Sequence, residues 1–227
     1  DQFAHSSIWY FPTAWNGAKY YNWYTPYPSE ADENPYLAYS SDGITWDDSG
    51  ISNPLVPQPA NYPSNYNSDT DFWYDSETDT AYLFWRYKNQ AGNTDFFYVK
   101  SGDGRTVSDS TKIFSDLPND EWASITVEKI DTLYHAWIVT IKDRPTYRLF
   151  HYQAETLETL ELDSPDTCVL DDVPAGKGIW HVSIKYDSIY DQLIGIFNFT
   201  DATSSGTAPN QNGLQRFATS LDGVNWD

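Results

Sequence analysis

Residues 39–48 read YSSDGITWDD, and about 180 residues later residues 219–227 read TSLDGVNWD. A third, looser copy, KSGDGRTVSD, occupies residues 100–109. Aligned on Ser40, Ser101 and Ser220, all three follow the pattern Ser-x-Asp-Gly-x-x-(Trp/Val). Before each copy, apolar and aromatic residues alternate, as in PYLAYSS, DFFYVKS and LQRFATS, which is the period of a half-buried strand. The Asp-Gly step then predicts a tight turn, because Gly accepts positive φ and Asp hydrogen-bonds its own backbone. Trp46 and Trp226 are expected to plug the edge of the core behind their turns. Each copy therefore reads as a hairpin with an aromatic plug.

Working outward, two more strand-like runs precede each hairpin. They are HSSIWYFP and AKYYNWYTPY in the first repeat, then DTDFWYD and TAYLFWRYK in the second. EWASITVEK and LYHAWIVTI open the third, and WHVSIKYD and DQLIGIFNFT the fourth. The third repeat continues as TYRLFHYQAETLETLEL, where the Ser-Asp-Gly signature is lost. No convincing amphipathic helix interrupts them. A β-sandwich would explain the alternation but not the repeated turn.

The expected fold class is therefore all-β, a β-propeller of four-stranded blades in a single domain. The blades cover about residues 1–50, 66–116, 119–165 and 178–227. The fourth stops near the start of its last strand. Five blades with the last absent or incomplete are expected, a four-bladed ring being the other arrangement. Opening on Asp1 with no Met, the sequence is expected to be a processed product or a piece of a longer chain or assembly. Ser52–Asn67 and Asp201–Gly213 read as long connections between strands.

The charge narrows the partners. With 33 acidic residues against 13 basic ones, the net charge is −20, which argues against nucleic acid and against an anionic membrane surface. No apolar run has transmembrane length, so no membrane insertion is expected. Cys168 stands alone and can close no intrachain disulfide. The 18 Tyr, 11 Phe and 10 Trp suit strands and also surfaces that stack on sugar rings, although most are expected in the core. No zinc spacing, phosphate loop or serine-hydrolase elbow is visible. His135 and His151 lie within strand-like runs and read as packed side chains.

In a propeller the innermost strands converge, so the residues at which they begin come together from distant positions. Aligning the repeats on Ser7, Asp71, Ser124 and Ser183 brings into register His5, Asp69, Glu121 with Trp122, and His181 beside Trp180. Here the strands resemble those of five-bladed glycosidases of glycoside hydrolase family 43. SDTDFWYDSETDTAYLFWRY is similar to their second blade, EWASITVEKIDTLYHAWIV to their third-blade Glu-x-Pro strand, and WHVSIKYD to their fourth-blade His-x-Ser strand. AHSSIWYFPTAWNGAKYYNWY has the shape of their first blade.

The resemblance implies Glu121 as general acid, Asp69 as the carboxylate that tunes it and holds substrate, and His181 as a channel histidine. It implies an Asp base at position 5, where this chain has His5, and the prolines of Asp-Pro and Glu-x-Pro are absent. Inverting glycoside hydrolysis needs one protonated and one ionised carboxyl on opposite faces of the bond, with a third carboxylate raising the acid's pKa. His5 could serve as base near neutral pH. Trp122, Trp180 and His181 are the expected sugar-binding groups. No cofactor is expected, though related propellers hold a calcium ion that His181 would contact through water.

Two readings follow, both directed at a polysaccharide or cell-surface glycan and both extracellular, secreted or on a virion. One is a glycoside hydrolase using Glu121, Asp69 and His5. The other is a non-catalytic glycan-binding domain, such as a phage tail receptor-binding protein or a surface adhesin, favoured by the missing base.

Overall fold

In the computed structural model the described residues are 3–26, 33–117, 122–143, 146–201 and 213–227. They form two compact units, Asp1–Asp116 and Leu117–Asp227. The first unit holds β1 (Phe3–Trp15), β2 (Ala18–Pro26) and β3 (Tyr36–Ser40) in one antiparallel sheet. Its second sheet runs β4 (Tyr66–Asp75), β5 (Thr80–Lys88), β6 (Thr94–Ser101) and β7 (Thr111–Leu117). In the second unit, β8 (Trp122–Ile130), β9 (Leu133–Asp143), β10 (Thr146–Ala154) and β11 (Asp166–Thr167) form a third sheet. The short β12 (Val169–Leu170) precedes a fourth sheet of β13 (Lys177–Asp187), β14 (Gln192–Asp201) and β15 (Leu214–Ser220). Finally β16 (Asn225–Trp226) pairs in parallel with β12. Every larger sheet keeps chain order, as short hairpin connections require.

The repeated turn has the same bonding each time. Ser40 Oγ accepts from Gly43 N at 2.9 Å, while Asp42 Oδ1 accepts from Ile44 N and Thr45 N at 2.8 and 2.7 Å. Ser101 with Asp103, and Ser220 with Asp222, repeat both halves. Gly43, Gly104 and Gly223 sit at φ 76, 64 and 77, a region that side chains disfavour. Gly43→Ala is expected to cost about 1–2 kcal/mol, read as a lower melting temperature. Gly102→Ala, in the second turn, has ordinary φ and open space around it, and should leave that temperature unchanged.

Behind the last turn Trp226 is fully buried, as expected of a plug, and donates to Gly223 O. Trp46 is only half-buried. The third repeat, lacking the signature, closes instead with a 3₁₀ helix, Leu157–Leu162, that buries Leu157 and Leu160.

The first sheet has three strands rather than the expected four, and the fourth, whose last strand is expected to be cut short, also has three. In the first, the strand after the turn shrinks to one bridge, Tyr39 with Asp47. Asp47 Oδ1 accepts from Ser49 N at 2.8 Å, which turns the chain away immediately.

Within each unit the sheets are fastened face to face by inner-strand hydroxyls. Ser7 Oγ donates to Asp71 Oδ1 and accepts from Phe72 N, both at 2.9 Å. In the second unit Ser124 Oγ accepts from Val182 N at 3.0 Å, one residue off the Ser124–Ser183 alignment. β5 is buried on both faces from Ala81 to Trp85, which is why it reads as a continuous apolar run rather than an alternating one. Trp15, Tyr21, Trp23, Phe72 and Trp85 belong to the first core, and Trp137, Phe197, Phe199 and Trp226 to the second. The aromatic excess is thus largely packing. Among the described residues no helix is long and apolar enough to cross a membrane. Residues 202–212 of the second expected connection lie outside the described residues.

Candidate active site

Each inner strand carries a β-bulge near its start. The register slips between Ala4 and Ser7, Ser68 and Asp71, Trp122 and Ile125, and Ile179 and His181. A bulge adds one residue, bends the strand and re-aims a side chain. In β1 and β4 the bulged residues are His5 and Asp69, at φ 48 and 50. Holding a non-glycine residue there costs about 1–3 kcal/mol and is characteristic of functional sites. The bulges also correct the sequence alignment, since the residue matching His5 and Asp69 in β8 is Ala123, not Trp122.

In the first unit these bulges bring two of the expected residues together. His5 Nδ1 lies 3.6 Å from Asp69 Oδ1 and 3.4 Å from Thr25 Oγ1. The Asp69 side chain is 1% exposed, and its Oδ2 accepts from Arg86 Nε at 2.8 Å and from Ser68 Oγ at 2.9 Å. Arg86 Nε also reaches Ser68 Oγ at 2.9 Å. Thr70 Oγ1 donates to the carbonyl of His5, tying one bulge to the other. The result is a buried ion pair with an imidazole at its open side.

A further carboxyl belongs to this group. Burial, and then the charge of Asp69, push the Glu33 carboxyl above its ordinary range, opposed by His5 and Arg86. A Glu carboxyl raised by burial and an Asp charge, in company with an Asp paired to Arg, is the kind of difference in environment that separates an acid from a base.

The other expected residues are in the second unit. His181 follows Trp180 on β13, their rings edge to face at 5.6 Å, and both are partly exposed. Trp122, also partly exposed, tilts against Phe150 at 5.8 Å. Glu121 lies outside the described residues. Glu33, Arg86 and Ser68 escaped the sequence reading. Arg86 carried a signal, as a lone cation within the apolar run TAYLFWRYK. Glu33 carried none, in a Pro-flanked connection between strands.

Comparison with known proteins gives the architecture its context. A solved N-acetylgalactosamine deacetylase from F. plautii, in complex with blood group B trisaccharide, matches all of this chain and 69% of its own, with a TM-score of 0.85 and 22% identity. A thermostable family-43 glycoside hydrolase matches 96% of this chain and 72% of its own, with a TM-score of 0.68 and 14% identity. The fold is a β-propeller. Its neighbours include the glycosidase family that the strand motifs resemble. In sequence, 97 residues, or 40% of the chain, are 36% identical to an A type blood N-acetyl-α-D-galactosamine deacetylase of Flavonifractor plautii, and the match spans 12% of that protein's length. No family model matches the chain.

Proposed function

We propose that the chain is a glycan-modifying hydrolase that removes acetyl groups from N-acetylated amino sugars, working on the amide rather than the glycosidic bond. The observation that carries this is the grouping of Glu33, Asp69, His5 and Arg86. The likeness to N-acetylgalactosamine deacetylases supports it. His5 in place of the expected Asp base argues against the usual carboxylate pair of inverting glycosidases.

Amide hydrolysis needs a base to take a proton from water and an acid to give one to the departing nitrogen. With Nδ1 turned to Asp69, His5 is set up as the base, and Asp69 steadies the imidazolium that results. Water oxygen bonds to the acetyl carbon. The C–N bond then breaks as the Glu33 proton passes to nitrogen, giving acetate and a free amine. Trp122, Trp180 and His181 are the proposed sugar-stacking groups, and the protein is assigned to the extracellular space, where such glycans are displayed.

A second reading, glycosidic cleavage with Glu121 as general acid, rests on the EWASITVEK motif and the family-43 neighbour. Incubation with glycans ending in N-acetylgalactosamine separates the two. Acetate without new reducing ends is expected, falling about 10²–10⁴-fold in Glu33→Gln. Reducing ends without acetate would favour Glu121 instead. Binding with neither product would make the chain the non-catalytic glycan-binding domain.

A further inference from the structure

We propose that copies of this chain join face to face. The first sheet of one copy, at Ile8, Tyr10 and Tyr20, docks onto the fourth sheet of another, at Ser183, Ile194, Ile196 and Phe217. The inference is independent of the proposed chemistry and rests on how sheets meet inside each unit.

In the first unit, the face of the first sheet that carries Ser7, Trp9 and Phe11 meets the face of the second that carries Phe72 and Tyr74. The Trp9 and Phe72 rings stack at 6.0 Å, and Phe11 stands edge to face with Tyr74 at 4.7 Å. In the second unit, Thr126 Oγ1 on β8 donates to Ile184 O at 3.2 Å and accepts from Ile184 N at 3.3 Å. The alignment on Ser7, Asp71, Ser124 and Ser183 puts Ile8, Phe72, Ile125 and Ile184 at one register. Tyr10, Tyr74 and Tyr186 share another, two residues on. Phe72 and Ile184 are 0% exposed and Ile125 1%, whereas Ile8 is 53% exposed. Tyr10 is also exposed, its ring 5.0 Å from that of Tyr20 across the β1–β2 pair. The first sheet thus leaves open the residues whose counterparts in the second and fourth sheets are covered by the sheet before.

The fourth sheet carries the matching half. On its middle strand, β14, Leu193, Gly195, Phe197 and Phe199 are buried, while Ile194, Ile196 and Asn198 are not. The middle strands of the second and third sheets are buried on both faces, over Ala81–Trp85 and Ala136–Thr140. Strict alternation marks a sheet with one covered face and one open face. Ser183 pairs with Ile196 and Ile196 with Phe217, so the three form a row across the open face. Phe217 is 75% exposed. Ser183 holds the register of Ser7 and Ser124, whose hydroxyls each accept a backbone N–H from the neighbouring sheet. A docked first sheet supplies Ile8 N to Ser183, as Phe72 N is supplied to Ser7.

The occupant is a second copy because the two open faces are the two halves of one kind of junction. Exposed apolar patches of this sort mark docking surfaces. Each copy carries one half of each kind, so the contact runs head to tail rather than about a two-fold axis. The net charge of −20 on each copy opposes the contact. Association should therefore tighten as salt screens the repulsion.

Sedimentation equilibrium over a concentration series is the test. The wild-type mass should rise with concentration past that of a dimer, because every added copy leaves a free face at each end. Phe217→Ser and Ile8→Ser alter exposed positions without changing the charge, and each alone should weaken association about tenfold or more. Tyr10→Ser takes the place of Ile8→Ser should that variant fail to fold. Each of the two variants keeps one intact face, so a mixture should form a 1:1 pair that grows no further. Leu221→Ser, at an exposed apolar residue of the last turn, should associate like the wild type. A wild type that stays monomeric up to its solubility limit overturns the proposal and leaves these faces to a sheet from another source. It is overturned equally by single variants that associate like the wild type, by a mixture no larger than its parts, or by a Leu221→Ser protein that dissociates with them.

Discussion

Replacing Arg86 with leucine is expected to cost about 3–5 kcal/mol of stability, because it leaves a buried carboxylate without its guanidinium. Asp69 is 1% exposed and Arg86 14%, so water cannot take over the lost role. The guanidinium also contacts Ser68 Oγ and stands over the Tyr66 ring at 5.6 Å, so packing adds to the loss. Two effects can be separated by a double-mutant cycle. Asp69→Asn removes the charge and keeps the shape, and on that background Arg86→Leu should cost far less. The coupling should come out at roughly 1–3 kcal/mol, measured by urea unfolding at neutral pH. Equal costs on both backgrounds would show that Arg86 contributes only packing. In acetate release the two single variants should fail differently. Asp69→Asn removes the charged partner of His5 and should reduce kcat about 10²–10⁴-fold per folded molecule. Arg86→Leu should lose activity together with folded protein.

The same site shows where sequence reasoning reaches and where it stops. The Ser-x-Asp-Gly turns were legible because each is closed by its own residues, with Ser40 and Asp42 bonding amides two and three positions on. Strands such as LQRFATS and TAYLFWRYK were legible from side-chain periodicity and apolar content. The bulges at His5 and Asp69 were not, since neither residue is a glycine that would announce positive φ. They are forced by tertiary hydrogen bonds such as Thr70 Oγ1 to His5 O. Glu33 was invisible as well, because it precedes β3 outside any strand pattern. The expected pairing of His5 with Asp69 was nonetheless recovered, because inner-strand starts converge whatever their local detail. The parallel pairing of β12 with β16 left no trace in sequence, two residues being too few for periodicity.

Acid should unfold the second unit through two histidines that take no part in the proposed chemistry. His135 on β9 and His151 on β10 share a hydrogen bond, Nδ1 to Nε2 at 2.9 Å, with their rings stacked 7° from parallel. Both also stack on the buried Trp137. One nitrogen must donate and the other accept, so a proton on each ring would set donor against donor and charge against charge. Burial first, and then the charge of His135, lower His151 from 6.5 to about 4. Burial lowers His135 as well. The carboxylates of Asp131, Asp163 and Asp222 pull the other way without prevailing. Because the folded state binds these protons less readily than the unfolded state, the stabilisation is complete above about pH 6.5 and is lost as pH falls toward 4. For His151 alone the loss is on the order of 3 kcal/mol across that window. Carboxylates such as Asp42, held below the usual range by the Thr45 and Ile44 amides, lose most of their contribution at still lower pH. Urea unfolding at steps between pH 7 and 4 should therefore show stability falling with pH in the wild type. The double variant His135→Leu, His151→Phe should be nearly flat over the same interval. Parallel slopes in the two proteins would assign the acid sensitivity to other groups.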